Sequence, residues 1–234
     1  MDEHDQRTGD PADGDKAAAA AAAVQEVQQG MLVGLGTGST AAHAIRALAR
    51  RVADGLRIQA VATSGASADQ ARAAGIAVLD FAGVARVDLT IDGADRIDPR
   101  LFAIKGAGGA MLREKIVAAA SERMVVIADG SKLRDAIGDA PVPVEVLPFA
   151  QASVAARLGP AAILRRVGDR PYVTDNGNVV LDWIVDLDDP RAVADLLDRM
   201  PGVLGHGLFL DEVDAAYIAT GGVVTRLEQA RHTY

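Results

Sequence analysis

The chain of 234 residues has no cysteine, four histidines and an aromatic content of only 3%. Without thiols it can form no disulfide, no thiolate nucleophile and no sulfur-ligated metal, a usage that fits the reducing cytoplasm. His4, His43, His206 and His232 are scattered, and no pair has the H-x-x-x-H spacing of helical metal ligands, so no metal is expected. So few aromatics imply an aliphatic core and no stacking platform for single-stranded nucleic acid. The formal net charge of −8 also disfavours a phosphate backbone as partner. Residues 1–16 hold six acids and two bases, which is −4 of that total, so the rest of the chain is only mildly acidic. Long apolar runs are missing too. The stretch 17–24 is too short and too weakly apolar to span a membrane, and the N-terminus opens on acids where a signal peptide has bases.

What is present is a chain that is 50% hydrophobic, enough for one large or two small domains with a real core. Residues 1–14 are polar with interspersed Gly and Pro and read as a disordered acidic leader. Asp15 is placed to cap a helix over 16–29, and Gly30 to stop it. A short strand from Met31, a helix over 41–52, a strand over 57–62, a helix over 68–74 and strands over 76–79 and 87–91 follow. That alternation predicts a parallel, helix-covered sheet. A short extended piece at 101–104 and a strand over 124–128 extend it. From about Asp135 prolines break the pattern, and 135–207 reads as a smaller α+β unit with helices over 149–158 and 190–200. Within it the turn Asp175-Asn-Gly177 lies between extended runs as in a hairpin. Of the last strands, 204–210, 214–219 and 223–227, at least two are expected to rejoin the first domain, which would then comprise 15–134 and 208–234.

One stretch looks chemical. Asp92-Gly-Ala-Asp95 through Lys105-Gly-Ala-Gly-Gly to Arg113-Glu114-Lys115 places nine ionisable groups and four glycines within 24 residues. The apolar run 87–91 delivers Asp92 to a strand's carboxyl end, where open α/β sheets hold their ligands. Two Asp, one Glu, Lys105, Lys132 and many backbone donors suit proton transfer beside a carbonyl. An aldose–ketose isomerase removes a proton next to a carbonyl, holds an enediolate and returns the proton to the neighbouring carbon, work that one carboxylate can do. The developing oxyanion needs preorganised donors, which a lysine and glycine-loop N–H groups supply. Singly, these residues also suit turn aspartates and a solvated helix face; their joint placement around one glycine loop favours the site.

A second glycine-rich turn, Gly34-Leu-Gly-Thr-Gly-Ser-Thr40, joins a strand to a helix, the arrangement that binds anions at a helix N-terminus. No Gly-Lys-Ser/Thr follows, which excludes a P-loop, and the dinucleotide fingerprint is met only in its weaker form by Gly36, Gly38 and Ala41. The hydroxyls of Thr37, Ser39 and Thr40 suit a small phosphate or a polyol; a plain capped βα turn reads equally well. Lys132, after the strand 124–128, is a further candidate phosphate ligand.

Taken in order, Gly36-Thr-Gly-Ser-Thr40, Asp92-Gly-Ala-Asp95, Lys105-Gly-x-Gly108 with Arg113-Glu114-Lys115, Asp129-x-Ser-Lys132, Pro143-Val-Glu-Val-x-Pro148 and Asp175-Asn-Gly-Asn178 closely resemble ribose-5-phosphate isomerase of the A type. The resemblance covers roughly residues 30–227. It implies a Rossmann-like, mostly parallel sheet flanked by helices with a second, smaller α+β domain, commonly assembled as dimers or tetramers. It implies interconversion of D-ribose 5-phosphate and D-ribulose 5-phosphate without a cofactor, in the pentose phosphate pathway. By position, Glu114 would carry the proton between C2 and C1, Asp92 would assist ring opening, and Asp95 would lie near the hydroxyls. Lys105 with the amides of Gly106, Ala107 and Gly108 would stabilise the enediolate. Thr37, Gly38, Ser39, Thr40 and Lys132 would hold substrate and its phosphate, with Gly93 and Ala94 lining the same site. Ala107 and Gly65 depart from residues common in relatives.

The same scaffold also serves sugar-phosphate-sensing domains of regulators, which need a DNA-binding segment that this chain does not offer. A nicotinamide enzyme would carry an acid just after the second strand. Thr63 and Ser64 stand there.

Overall fold

The computed structural model describes residues 10–138 and 140–229. In chain order its strands are β1 (Leu32–Leu35), β2 (Gln59–Ala62), β3 (Ala77–Val78), β4 (Leu89–Gly93), β5 (Arg96–Ile97), β6 (Ala103–Ile104), β7 (Met124–Asp129) and β8 (Val142–Val146). There follow β9 (Ala162–Leu164), β10 (Arg166–Val167), β11 (Arg170–Pro171), β12 (Val179–Trp183), β13 (Val203–His206), β14 (Leu208–Phe209), β15 (Ala215–Thr220) and β16 (Val223–Glu228). The helices are α1 (Pro11–Ala23), α2 (Ser39–Ala53), α3 (Gly65–Ala73), α4 (Met111–Ala119), α5 (Gln151–Leu158) and α6 (Pro190–Asp198).

The chain is α/β. Seven strands in the order β16-β15-β7-β4-β1-β2-β3 form a Rossmann-like central sheet, parallel except for the hairpin partner β16. From β1 the chain winds outward to β2 and β3, then restarts on the other side of β1 with β4. The crevice between the carboxyl ends of β1 and β4 is therefore the switch point at which such sheets place ligands. Every residue of β7 is buried, as a strand covered on both faces must be. In α2 the buried residues Ala41, Ala44, Ile45 and Leu48 recur at helical spacing and form its sheet-facing stripe.

The smaller antiparallel sheet, in the order β13-β8-β12-β9, packs Val142, Val144 and Val146 with Leu181 and Trp183 under α5 and α6. A three-stranded sheet, β14-β6-β5, lies beside them. As expected of so few aromatics, Phe209 is the one aromatic among the largest fully buried side chains, and the remainder are aliphatic or Met.

Several local expectations change. The first helix begins at Pro11, not 16, because Asp10 caps it and proline suits its first turn; residues 1–9 of the expected leader lie outside the described residues. Asp15 does not cap that helix but accepts from the Gly221 and Gly222 amides at 3.0 and 2.7 Å, tying α1 to the β15–β16 turn. Helix α2 starts at Ser39, two residues early, with Gly38 at φ +100° as its N-cap. The expected strand 204–210 is split at Gly207 into β13 and β14. The Asp175-Asn-Gly177 turn closes on a single Val173–Val179 bridge, with Gly177 at φ +80°. Two of the last strands, β15 and β16, do rejoin the large sheet. No helix among the described residues is long and apolar enough to cross a membrane.

Candidate active site

Asp92 comes to the switch point on β4, and the turn after β1 is shaped around it. A Cβ at position 36 would lie 1.8 Å from Asp92 Oδ1, so only glycine leaves room for the carboxylate. That oxygen accepts from the Thr37 and Gly93 amides at 3.0 and 2.7 Å. Asp92 Oδ2 faces Lys105 Nζ at 2.8 Å, and the same ammonium faces Glu114 Oε2 at 3.2 Å and donates to the Gly93 carbonyl. Lys105 follows β6, and Glu114 lies in the first turn of α4. All three side chains are buried. Apart from that ammonium, Asp92 Oδ2 and Glu114 Oε2 have no hydrogen-bond partner among the described residues.

Two buried carboxylates thus share one buried cation. Burial, and then the charge of Asp92, push the Glu114 carboxyl up to about 8. Burial also raises Asp92, against the pull of Lys105 and its amide donors. For Lys105 burial alone would lower the ammonium, but Asp92 and Glu114 outweigh it and hold the group protonated. The cluster therefore offers one firm cation and a carboxyl poised to gain or lose a proton near neutral pH. Among the described residues no group of three His, Cys, Asp or Glu is arranged to hold a metal ion.

Lys105 and Glu114 border a cavity of about 240 Å³. It is lined by Thr37, Gly38, Ser39 and Thr40 after β1, by Gly93, Ala94 and Asp95 from the end of β4, by Lys105, Gly106, Ala107 and Gly108 with Glu114, and by Lys132. Nearly all the residues proposed from sequence are thus together. Asp92 is the exception: fully buried and outside the lining, it reaches the cavity only through Lys105, because its oxygens are spent on that ammonium and two amides. The Ala107 amide is also engaged, donating to Asp95 Oδ2 at 2.8 Å. No side chain caps α2, so the first-turn amides of that helix are open to an anion.

Lys16 was not anticipated. From α1 its Nζ comes within 3.5 Å of Ser39 Oγ, on the same cavity, so a second ammonium joins Lys132 there. The sequence offered only one signal, a lone base between an acidic segment and an alanine run. Two residues of the smaller sheet region were also missed: Arg165 donates to the Gly106 and Ala107 carbonyls at 2.8 and 3.0 Å, and the Tyr172 hydroxyl to Gly108 O at 2.9 Å.

Residues 59–222 match the family described as ribose 5-phosphate isomerase A (phosphoriboisomerase A). Ribose-5-phosphate isomerase A of Sphingopyxis alaskensis is 52% identical over 214 residues, covering 90% of this chain and 94% of the relative. The enzyme of that name from a Ruegeria species is 46% identical over 223 residues, covering 90% and 85%. Among solved structures, a D-ribose-5-phosphate isomerase in complex with phospho-erythronic acid superposes with a TM-score of 0.89 at 34% identity, over 93% of this chain and 99% of the other. The ribose 5-phosphate isomerase A of Methanocaldococcus jannaschii gives 0.87 at 35%, over 92% and 98%. Sequence motifs, switch-point site and whole-length likeness agree, and the chain belongs to the ribose 5-phosphate isomerase A family.

Proposed function

We propose that the chain interconverts D-ribose 5-phosphate and D-ribulose 5-phosphate through an enediolate, needs no cofactor and leaves Glu114 to carry the proton. The observation that supports this most is the buried Lys105 ammonium between Asp92 and Glu114 on the cavity wall. Glu114 takes the proton from C2 of the open-chain aldose and returns it to C1. A carboxyl raised to about 8 is basic enough to accept that proton and acidic enough to release it. As negative charge grows on the substrate oxygen, the Lys105 ammonium and the Gly106–Gly108 loop amides stabilise it, already oriented before the reaction. Asp92 keeps Lys105 charged and aimed. Asp95 lies where sugar hydroxyls would pass, and binding there competes for the Ala107 amide. The phosphate takes the open N-terminus of α2, the hydroxyls of Ser39 and Thr40, and the ammonium groups of Lys16 and Lys132.

The reading places the protein in the cytoplasm, in keeping with a thiol-free composition, and as a homodimer or homotetramer. Leu147, Phe149 and Leu204 are exposed around one turn, Phe149 by 97%, and a second copy would cover them. The decisive experiment is direct: chelator-treated protein mixed with ribose 5-phosphate yields ribulose 5-phosphate. Absence of turnover, or turnover only on adding metal, refutes the proposal.

A further inference from the structure

The 106–109 loop belongs to the catalytic side of the molecule, yet its carbonyl groups are held from the other side. Arg165, between β9 and β10, is clamped by Asp182 of β12 through Nε and Nη2. This leaves Nη1 to take the carbonyls of Gly106 and Ala107 together. Tyr172 packs on the same loop: a Cβ at Gly109 would fall 2.4 Å from its ring, and its hydroxyl holds Gly108 O. The guanidinium lies 5.8 Å from the centre of that ring, so the two side chains form one unit.

A peptide unit is planar and trans, so its C=O and N–H point in opposite directions. Fixing the carbonyl of Gly106 therefore fixes the N–H of Ala107, and fixing that of Ala107 fixes the N–H of Gly108. Both residues line the substrate cavity. That the Ala107 N–H already holds a carboxylate oxygen, Asp95 Oδ2, shows that this peptide is aimed as an anion donor. A cation on the carbonyl end also polarises each peptide and strengthens its N–H as donor.

We infer that Arg165, braced by Asp182, is a positioning residue for the isomerisation: it aims and polarises the two loop amides that receive the enediolate oxygen, without touching substrate. The inference rests on the enediolate reading above, and its test separates the two. Arg165→Ala, Arg165→Lys and Tyr172→Phe are assayed beside Glu114→Gln for kcat and KM with ribose 5-phosphate. Inhibition is measured with phospho-erythronic acid, whose carboxylate probes the amides, and with erythritol 4-phosphate, which has the same chain and phosphate but no carboxylate.

Arg165→Ala is expected to lower kcat by roughly 10- to 100-fold, the scale of a misplaced oxyanion donor, with KM changed by less than about threefold. It weakens phospho-erythronic acid about tenfold or more, and erythritol 4-phosphate by less than about twofold. Arg165→Lys keeps the charge but cannot span Asp182 and both carbonyls, so it behaves like Arg165→Ala; it also answers the question if the alanine variant does not fold. Tyr172→Phe loses about threefold in kcat. Wild-type kcat in the Arg165 variants, or equal weakening of both inhibitors, overturns the inference. If Glu114→Gln is inactive while the Arg165 variants keep wild-type kcat, the isomerase reading stands and the positioning role falls. Full turnover in Glu114→Gln removes Glu114 as the base, and absence of turnover in the wild-type protein overturns the isomerase reading itself.

Discussion

The two sheets meet at the 106–109 loop and treat buried charge in opposite ways. At the carboxyl ends of β1 and β4, two buried carboxylates share one ammonium, and each keeps an oxygen with no other partner among the described residues. In the smaller sheet Glu145 is as deeply buried, and its Oε2 likewise has no hydrogen-bond partner among the described residues, but its Oε1 accepts from three neutral side chains, Thr174, Asn176 and Asn178, at 2.9, 3.0 and 2.8 Å. Arg165 there is matched by one partner, Asp182, in a two-pronged pair. Neutral donors and one-to-one ion pairs hold a shape. An excess of carboxylate over cation is sensitive to every proton, which is what chemistry requires. One region carries the reaction and the other holds it still.

The strongest way to break this contrast is Glu114→Gln, which should lower kcat by at least about a thousandfold, equivalent to about 4 kcal/mol of barrier, while the protein still binds phospho-erythronic acid. A loss below tenfold would move the base elsewhere. Next is Gly36→Ala. Its methyl group would collide with the Asp92 carboxylate and free Lys105 from its partner, so a loss of about a hundredfold in kcat is expected, with the melting temperature also lowered.

The pH dependence sharpens the contrast further. Because Glu114 is raised to about 8, kcat/KM should climb about tenfold per unit as pH rises toward that value, and a plateau reached below pH 6 would contradict the assignment. Stability moves the other way. The folded carboxyl titrates above its ordinary value of 4.5, so between pH 4.5 and about 8 the unfolded chain holds fewer protons than the folded one. Raising pH through that window therefore destabilises the protein, an effect that thermal melts should show as diminished in Glu114→Gln. The smallest catalytic effect belongs to Leu197→Ala in α6, fully buried in the core of the smaller unit. It should cost about 2–5 kcal/mol of stability in denaturant titration and leave kcat at 25 °C within twofold.

Much of this was legible in the chain itself, for a physical reason. Met124 to Ala128 is a continuous apolar run because both faces of the sheet are covered, Val87 to Ile91 is apolar at every second residue, and the residue after each sits at the ligand end. Asp92, Lys105 and Glu114 could be proposed because one loop and one helix turn carry them within 24 residues. Arg165 and Lys16 could not. Their partners lie 59, 58 and 23 residues away, and nothing in a local window distinguishes them from surface bases. The early start of α1 went unread because Asp10-Pro11, a good helix opening, sits in a segment whose polarity resembles disorder. Asp92 is legible as a site residue, but its burial against Gly36 is not, because no spacing reveals that contact.

That contact ties two distant points of the chain into one inheritable unit. Residues 36 and 92 fill a single volume, with the carboxylate of one standing where the β-carbon of the other would be. Neither can drift by itself: a side chain at 36 evicts the acid, and a larger acid at 92 evicts the turn. Compensation would have to arrive at both positions together. A lineage that keeps this proton-transfer cluster is therefore expected to change the pair jointly or not at all.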